Sequence, residues 1–236
     1  MKNIAYGKKA LLDHIDDDII NVDLLSTQMD IIKILKEKKI NYRLRGMDFF
    51  SNLSPYLNHQ GVIVTLKQNN KYQSLEDLVK DKSKKESIVL VVDGLQDPQN
   101  FGAIIRTSDA FGVDAIIYKK DNQVQINDFV IKSSMGAINR VPLFKVSNLT
   151  QALTTLKKAG YWTYISTLSD DAQEYTKIKY DQKTVLVVGS ENRGVSKILI
   201  DNADFKVKIK MVGKVQSLNV SVATGILLGE ITRQYQ

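Results

Sequence analysis

Short apolar runs alternate with longer segments of helical periodicity along most of the chain. Residues 88–92 and 184–188 are runs of this kind, rich in Val and Leu, and they predict buried strands. Because strands that alternate with helices pair in parallel through crossovers, the second half predicts an α/β fold whose mainly parallel sheet is covered on both faces. The predicted elements are strands at 88–93, 115–118, 161–167, 184–189 and 207–209 and helices at 100–111, 128–134, 149–159 and from 217 to the end of the sequence.

The first part of the chain predicts a smaller α/β unit. Strand patterns at 18–25 and 61–66 flank a segment at 28–39 in which Met29, Ile32 and Leu35 have helical spacing. A polar, lysine-rich stretch then surrounds one short helical piece at 75–79, as in a linker. The predicted organisation is a first domain at 1–66, a linker at 67–86 and a second domain at 87–236.

Polar loops follow three of the predicted strands, after Asp93, after Gly189 and after Ile209. We predict that Ser217 caps the last helix, because a Ser oxygen can accept from a free backbone N–H of the first turn, which leaves Asn219 inside that turn. Loops at the carboxyl ends of strands gather at one edge of an open α/β sheet. The three loops are therefore predicted to form one ligand site.

Composition narrows the chemistry of this site. The sequence has no Cys, and its two histidines fall outside the three loops, so thiolate chemistry is excluded and no metal site is expected. The net charge of +7 and pI of about 9.3 favour a polyanionic partner such as nucleic acid. No apolar run reaches the roughly 18–20 residues of a membrane span, and the first residues do not look like a signal peptide, so we expect a cytoplasmic protein.

Common nucleotide-binding motifs do not fit the loops. The segment from Gly189 to Gly194 has the glycine spacing of a phosphate-binding loop, but Val195 and Ser196 replace the Lys and Ser or Thr that must follow. No Gly-x-Gly-x-x-Gly follows a strand, which argues against a dinucleotide site.

Taken together, the three loops resemble those of the SpoU-type RNA ribose 2′-O-methyltransferases of the SPOUT superfamily. Shorter similarities occur at Ser134-Met-Gly-Ala137 and at His59-Gln-Gly61-Val62, and the sequence has Lys210 and Asn192 where the family usually has Pro and often Gly. The three matching segments are Asp97-Pro-Gln-Asn100-Phe-Gly102-Ala-Ile-Ile-Arg106-Thr, Gly189-Ser-Glu191-Asn-Arg-Gly194, and Ile209-Lys-Met211 with Ser217-Leu-Asn219-Val-Ser-Val-Ala.

The resemblance implies a SPOUT-type methyltransferase domain with a parallel sheet and a trefoil knot, preceded by a small α/β RNA-binding domain. It also implies S-adenosylmethionine as cofactor and a homodimer that completes the site. The cofactor-binding positions that it implies are Gly189, Ile209, Leu218, Met211, Thr167, Leu168 and Gly194. The catalytic positions that it implies are Arg106, Asn100, Glu191, Ser217 and Asn219.

Arg106 has two open roles in such a reaction. A ribose 2′-hydroxyl is a poor nucleophile until its proton leaves, and the family resemblance gives Arg106 that task or the task of positioning. A guanidinium group stays protonated in proteins, so Arg106 could equally bind the neighbouring phosphate while that phosphate or a water takes the proton. Asn100 could orient the ribose or Arg106, Glu191 could fix Arg106 or Asn219, and Ser217 could line the transfer position.

Basic and aromatic residues of the first domain are candidate RNA contacts. Lysines and arginines bind phosphates, and tyrosines stack on unpaired bases. The candidates are Lys8, Lys9, Arg43, Arg45, Lys36 to Lys39, Tyr6 and Tyr42.

The resulting hypothesis is a 2′-O-methyltransferase that acts on ribosomal RNA, with a guanosine of 23S rRNA as the expected target because the two-domain layout resembles that subgroup. The alternatives are a tRNA 2′-O-methyltransferase and a catalytically silent RNA-binding protein of the same fold.

Overall fold

The computed structural model describes residues 3–16, 19–67 and 71–236. Asp18 of the first predicted strand, residues 68–70 of the predicted linker and the first two residues of the predicted first domain lie outside the described residues. In the described part of the chain, no helix is both long enough and apolar enough to cross a bilayer.

The first unit is a four-stranded sheet with helices packed on it. Strand β4 lies between β1 and β2 and runs antiparallel to both, whereas β3 pairs in parallel with β2 at the edge. Val22 and Leu24 alternate with polar neighbours along β2, so one face of the sheet is buried with Leu11 and Leu35 of the helices. The elements are β1 (Asn3–Tyr6), α1 (Lys8–Asp13), β2 (Ile19–Leu25), α2 (Met29–Glu37), β3 (Tyr42–Arg45), α3 (Met47–Ser51) and β4 (Val62–Leu66).

The second unit is a seven-stranded parallel sheet in the order β7-β6-β5-β10-β8-β11-β9, which confirms the predicted sheet. Its helices and strands are α4 (Leu75–Lys80), β5 (Ser87–Asp93), α5 (Pro98–Ala110), β6 (Ala115–Lys119), α6 (Asp128–Ser134), β7 (Leu143–Val146), α7 (Leu149–Lys158), β8 (Trp162–Ser166), β9 (Gln173–Glu174), β10 (Lys183–Gly189), α8 (Lys197–Ile200), β11 (Phe205–Lys208) and α9 (Val220–Tyr235).

Both faces of this sheet are buried. Along β5, Leu90 and Val92 pack into a core with α5 and α9, while Val89 and Val91 pack into a second core with α4, α7 and α8. Strands buried on both faces read as continuous apolar runs, and this is why β5 and β10 were recognisable in the sequence. Helices α5 and α7 therefore lie on opposite sides of the sheet.

The described part of the predicted linker packs against the second unit. Tyr72 and Leu78 are buried in the core that contains α7, and Ser74 caps α4 by accepting from the backbone N–H of Asp77 at 3.1 Å. The Tyr72 hydroxyl also donates to Asp81 at 2.6 Å. The polar composition of residues 71–86 thus belongs to the outer surface of a packed segment rather than to a free tether.

The two units contact each other beside α5 and α6. The Asn139 side chain donates to the backbone oxygen of Ile4 at 3.4 Å, and the rings of Tyr56 and Phe129 lie 4.3 Å apart. These contacts set the first unit against the first turn of α6 and the turn that follows the helix.

Candidate functional site

The carboxyl ends of β5 and β10 lie side by side, with Gly189 in register with Asp93. The strand order reverses at this point. The chain continues from β5 to β6 on one side, and the later strand β10 pairs with β5 on the other side. Ligand sites of open α/β sheets form at such switch points.

The loop after β10 folds back onto the end of its strand. The buried Asp93 carboxylate accepts from the Ser196 N–H at 2.8 Å, and a side chain at Gly189 would meet the backbone of Gly194 at 2.0 Å. Gly194 has a φ of +65°, which glycine adopts without strain. Asp93 was not among the predicted site residues, although its place at the end of a buried strand was visible in the sequence.

Asn192, which replaces a common family Gly, lies next to this turn. It is exposed, and it is not among the described non-glycine residues with positive φ. The left-handed position is taken by Gly194 instead, so the Asn192 replacement imposes no backbone strain here.

A cavity of about 460 Å³ opens between the loops that follow β8, β10 and β11. The prediction that the loop after Asp93 shares this cavity is wrong, because the loop after β8 takes its place in the lining. We call it the loop pocket. Glu191 and Arg193 are the ionised residues in its lining, and Ser217 lines it as well. All seven residues predicted to bind a cofactor line it, namely Thr167, Leu168, Gly189, Gly194, Ile209, Met211 and Leu218. Lys210 is exposed and is not part of this lining.

A relay of side-chain hydrogen bonds lies at the edge of the loop pocket. The Asn100 Nδ2 donates to Glu191 Oε1, and Asn219 Nδ2 donates to Asn100 Oδ1 at 3.0 Å. Asn219 Oδ1 in turn accepts from the backbone N–H and the hydroxyl of Ser221, at 2.9 Å and 2.6 Å. Three residues predicted as catalytic, Asn100, Glu191 and Asn219, are therefore brought together from three separate parts of the chain.

The two ends of the relay fix the orientation of both amides. An ionised carboxylate only accepts, so Asn100 must present its NH₂ group to Glu191 and its oxygen to Asn219. A backbone N–H only donates, so Asn219 must present its oxygen to Ser221 and its NH₂ group to Asn100. The relay consequently has one consistent arrangement of donors and acceptors, which suits it to hold a polar substrate group in a defined direction.

The prediction that Ser217 caps α9 is wrong. The helix begins at Val220, two residues later than a Ser217 cap would allow, and its N-cap is Asn219, whose side chain accepts from Ser221. Asn is as good a cap as Ser, so the sequence offered two suitable residues and the structure uses the second. Asn219 thus lies at the cap position and not in the first turn, while Ser217 stays free to line the loop pocket.

Helix α5 also begins earlier than predicted. Asp97 is its N-cap and accepts from the Gln99 N–H at 2.9 Å, and Pro98 occupies the first turn, where its missing N–H costs nothing. Asn100 is therefore not the cap of α5 but lies in its first turn, where its side chain can reach Glu191 and Asn219.

Arg106 lies apart from the loop pocket of its own chain. It is exposed on α5, and within the described residues its guanidinium makes no hydrogen bond or ion pair. It lines a second cavity, which is formed between the two units and which we call the inter-unit cavity. Five predicted catalytic residues are thus divided between two places, four at the loop pocket and Arg106 at the inter-unit cavity.

The predicted RNA-binding residues of the first unit also separate. Lys9 and Tyr6 line the inter-unit cavity. Lys8, which precedes Lys9, is exposed but not part of the lining, and Arg43 is exposed on the edge strand β3. Arg45 donates to Asp23 at 2.7 Å and lies 4.8 Å from the Phe49 ring.

The remaining candidates of this unit are engaged or lie elsewhere. Tyr42 packs against the core of the first unit, and Lys38 at the end of α2 is paired with Asp16 at 2.9 Å. Lys36 and Lys39 are exposed at the same end of α2, outside the inter-unit cavity. Within the described residues, no group of three or more His, Asp or Glu side chains is arranged to hold a metal ion.

Comparisons with known proteins show the family of this chain. The model of the SpoU rRNA methylase family matches residues 87–229, which include the whole relay. An uncharacterised tRNA/rRNA methyltransferase of Mycoplasma genitalium is 40% identical over 234 residues, with 96% of each chain covered.

Two solved structures extend the comparison to the fold. The S-adenosylmethionine-bound rRNA methyltransferase of Sinorhizobium meliloti superimposes with a TM-score of 0.78 at 23% identity, covering 100% of this chain and 88% of that one, and this likeness concerns the fold. The TrmH/SpoU tRNA-modifying enzyme of A. aeolicus is 36% identical with a TM-score of 0.58, and the match covers 68% of this chain and 83% of that one.

Proposed function

Because the chain belongs to the SpoU rRNA methylase family, we propose that it is an S-adenosylmethionine-dependent methyltransferase that modifies the ribose 2′-hydroxyl of RNA. The observation that carries this proposal is the relay of Glu191, Asn100 and Asn219 at the edge of the loop pocket. It combines an oriented set of donors and acceptors with a pocket large enough for a cofactor.

The loop pocket fits S-adenosylmethionine in size and in chemistry. Its volume of about 460 Å³ lies within the range of small-molecule sites, roughly 300–1,000 Å³. Leu168, Ile209 and Leu218 offer apolar surface to the adenine, and Glu191 and Arg193 offer one negative and one positive charge to the amino-acid end. When bound, this cofactor supplies a methyl group attached to a positively charged sulfur.

Residues of the protein orient the ribose. They also position a group that accepts the proton of its 2′-hydroxyl. The relay presents fixed amide groups beside the pocket, so it can hold the ribose with its 2′-oxygen facing the methyl group. With the cofactor bound, that oxygen would lose its proton as it takes the methyl group, and the bond between the methyl carbon and sulfur would break to leave a neutral thioether. Arg106 binds the phosphate next to the target ribose, and this phosphate or a water bound to it takes the proton, because a guanidinium group itself stays protonated.

We infer that the chain forms a homodimer. Arg106 does not line the loop pocket of its own chain, so a second copy must bring it there or the RNA must bridge the gap. On α9, Val222 is 51% exposed and Ile226, one turn later, is half-buried, which leaves an apolar stripe next to α5 for such a contact. Light scattering at micromolar concentration tests this inference.

Ribosomal RNA, with a guanosine of 23S rRNA as the target, is the substrate we propose. The match to the rRNA methyltransferase covers the whole chain, whereas the match to the tRNA-modifying enzyme covers 68% of it. This difference supports an rRNA substrate, and we propose that the unit at residues 1–66 binds RNA while residues 87–236 carry the chemistry. We place the protein in the cytoplasm, and the trefoil knot stays a prediction.

Methylation mapping tests the proposed function. Unmethylated 23S rRNA and a tRNA pool are incubated with the purified chain and S-adenosylmethionine, and ribose methylation is then mapped by nucleoside mass spectrometry and primer extension. We expect one 2′-O-methylated guanosine in the rRNA. Methylation of tRNA alone would favour the second substrate, and the absence of transfer to either RNA would favour a silent RNA-binding protein.

A further inference from the structure

The inter-unit cavity is separate from the loop pocket and has no lining residue in common with it. It measures about 560 Å³ and lies between α1 and the loop at 57–60 of the first unit and α5, α6 and the turn at 136–140 of the second. Because both units contribute walls, a ligand in this cavity would contact both units at once.

Positive charge dominates the cavity walls. Arg106, Lys9 and Lys132 come from α5, α1 and α6, and within the described residues none of the three makes a hydrogen bond or ion pair. Arg140 is the fourth cation, but its guanidinium donates three hydrogen bonds to the Asp109 carboxylate, at 2.6 Å, 3.0 Å and 3.1 Å. Asp13 is the remaining acid of the lining, so within the described residues three unpaired cations share this wall with one unpaired carboxylate.

Unpaired cations that converge on a cavity indicate an anionic ligand. Like charges repel, so clustering them is unfavourable until a negative group is bound between them. Phosphate oxygens accept hydrogen bonds from both lysine and arginine side chains. The charge pattern therefore fits a ligand that carries phosphate.

The rest of the lining fits the base and sugar of a nucleotide. Ile131, Ile138 and Leu57 provide apolar surface, and the Tyr6 ring is half-buried in the wall. Burial and the nearby negative charge of Asp128 raise the pKa of the Tyr6 hydroxyl, so this group stays neutral and can donate or accept a hydrogen bond. A base can stack on the Tyr6 ring and pack against the apolar side chains around it.

We propose that the inter-unit cavity binds one nucleotide of the substrate RNA, whose phosphates contact Arg106, Lys9 and Lys132. This inference rests on the proposed function, because it places the nucleotide next to the one that is methylated. Asn100 and Arg106 lie six positions apart on α5, a rise of about 9 Å along the helix, so one RNA strand can engage the relay and the cavity together. The first unit would then hold RNA directly at the site of chemistry.

Two lysine variants of the protein at residues 1–236 test this inference. Lys9→Ala and Lys132→Ala each remove one cation of the cavity, from different units, and neither residue contacts the loop pocket. The control is Lys158→Ala, which removes the same charge from an exposed position on α7, on the opposite side of the sheet. The probe is a fluorescein-labelled fragment of unmethylated 23S rRNA, titrated by fluorescence anisotropy at several salt concentrations without cofactor.

Each cavity variant is expected to bind the RNA on the order of tenfold more weakly than Lys158→Ala, because one charged hydrogen bond is lost. The slope of log affinity against log salt should also fall by about one for each lost phosphate contact. The inference is overturned when both variants match Lys158→Ala in affinity and in slope.

Calorimetry with S-adenosylmethionine separates this failure from failure of the proposed function. The three lysine variants should bind the cofactor as the unsubstituted protein does. Lost RNA affinity in a protein that never binds the cofactor would support the cavity and reject the methyltransferase. Normal cofactor binding and methyl transfer with unchanged RNA affinity in both cavity variants would reject the cavity and leave the methyltransferase intact.

Discussion

The loop pocket and the inter-unit cavity are assembled in different ways. Three loops that leave the ends of the adjacent parallel strands β10, β8 and β11 form the loop pocket, and each of these strands was predicted from the sequence. The inter-unit cavity is built from α1, α5, α6 and two connecting segments that no shared motif links. Helix α5 serves both, with Asn100 in the relay and Arg106 in the cavity. A single sequence motif can therefore supply residues to two different sites.

Replacing Arg106 with alanine should have the largest effect. It should slow methyl transfer without changing the loop pocket. We expect methyl transfer to slow by about 10²–10⁴-fold, because the variant loses the group that binds the phosphate next to the reacting ribose. Single-turnover kinetics with saturating RNA and cofactor measures this loss.

Cofactor affinity of Arg106→Ala should stay within about twofold of the unsubstituted protein, since Arg106 does not line the loop pocket. Arg106→Lys keeps the charge but not the planar fork, and it should recover part of the activity. Near-normal turnover of Arg106→Ala would remove this residue from the mechanism.

Replacing Gly189 with alanine should damage the loop pocket and leave the cavity unchanged. The new methyl group would lie 2.0 Å from the Gly194 backbone, so the loop after β10 must move, at a cost of about 1–3 kcal/mol. We expect cofactor affinity to fall about tenfold or more, with RNA affinity unchanged.

Gly213→Ala is the matched control, because a methyl group at that position meets nothing within 4 Å. Calorimetry and thermal unfolding of the two variants measure the difference. Equal cofactor affinity in both variants would show that the packing of Gly189 on Gly194 does not shape the pocket.

The sequence predicted the loop pocket better than the cavity for physical reasons. Strands such as β5 and β10 are buried on both faces, so their apolar runs stand out, and the polar residues that follow them must lie at one sheet edge. The seven cofactor positions were found from family resemblance at these loops.

The cavity depends on how two units pack, and local sequence patterns do not record this. No motif around Lys132 in the sequence indicates that it binds a ligand. It shares the cavity with Lys9 only because the first unit packs beside α6. The four-residue strands β1 and β3 were not predicted either, since β3 contains two arginines and is too short to show a clear alternation. The cap of α9 was misassigned because Ser217 and Asn219 are equally suitable by type.

Two substitutions at Asn219 should separate its roles as helix cap and relay member. Asn219→Ala removes both roles and should lower the stability of the protein by about 1 kcal/mol. Asn219→Ser keeps a capping oxygen but cannot donate to Asn100 from an amide, so we expect nearly unchanged stability and about tenfold slower methyl transfer. Thermal unfolding measures the change in stability, and single-turnover kinetics measures the rate of methyl transfer. If the Ser variant is fully active, the bond between Asn219 and Asn100 has no part in catalysis.

Weakening the contact between the units should have the smallest effect and should act on the cavity alone. The Tyr56 and Phe129 rings lie 4.3 Å apart at the surface, and such pairs contribute about 0.5–1.5 kcal/mol. Phe129→Ala is therefore expected to weaken RNA binding by about two- to tenfold and to leave cofactor affinity unchanged. Phe129→Leu keeps apolar bulk without the ring, so its RNA affinity should lie between those of the unsubstituted protein and Phe129→Ala. A change in cofactor affinity would show that the two sites are coupled through α6.

The central claim is that the loop pocket binds S-adenosylmethionine independently of Arg106 and the inter-unit cavity. Calorimetric titration of the cofactor into the unsubstituted protein, Arg106→Ala and Gly189→Ala tests it most directly. We predict saturable binding of one cofactor per chain with the same affinity in the first two proteins and markedly weaker binding in the third. Absence of binding to the folded, unsubstituted protein, or an equal loss in Arg106→Ala and Gly189→Ala, would contradict the claim.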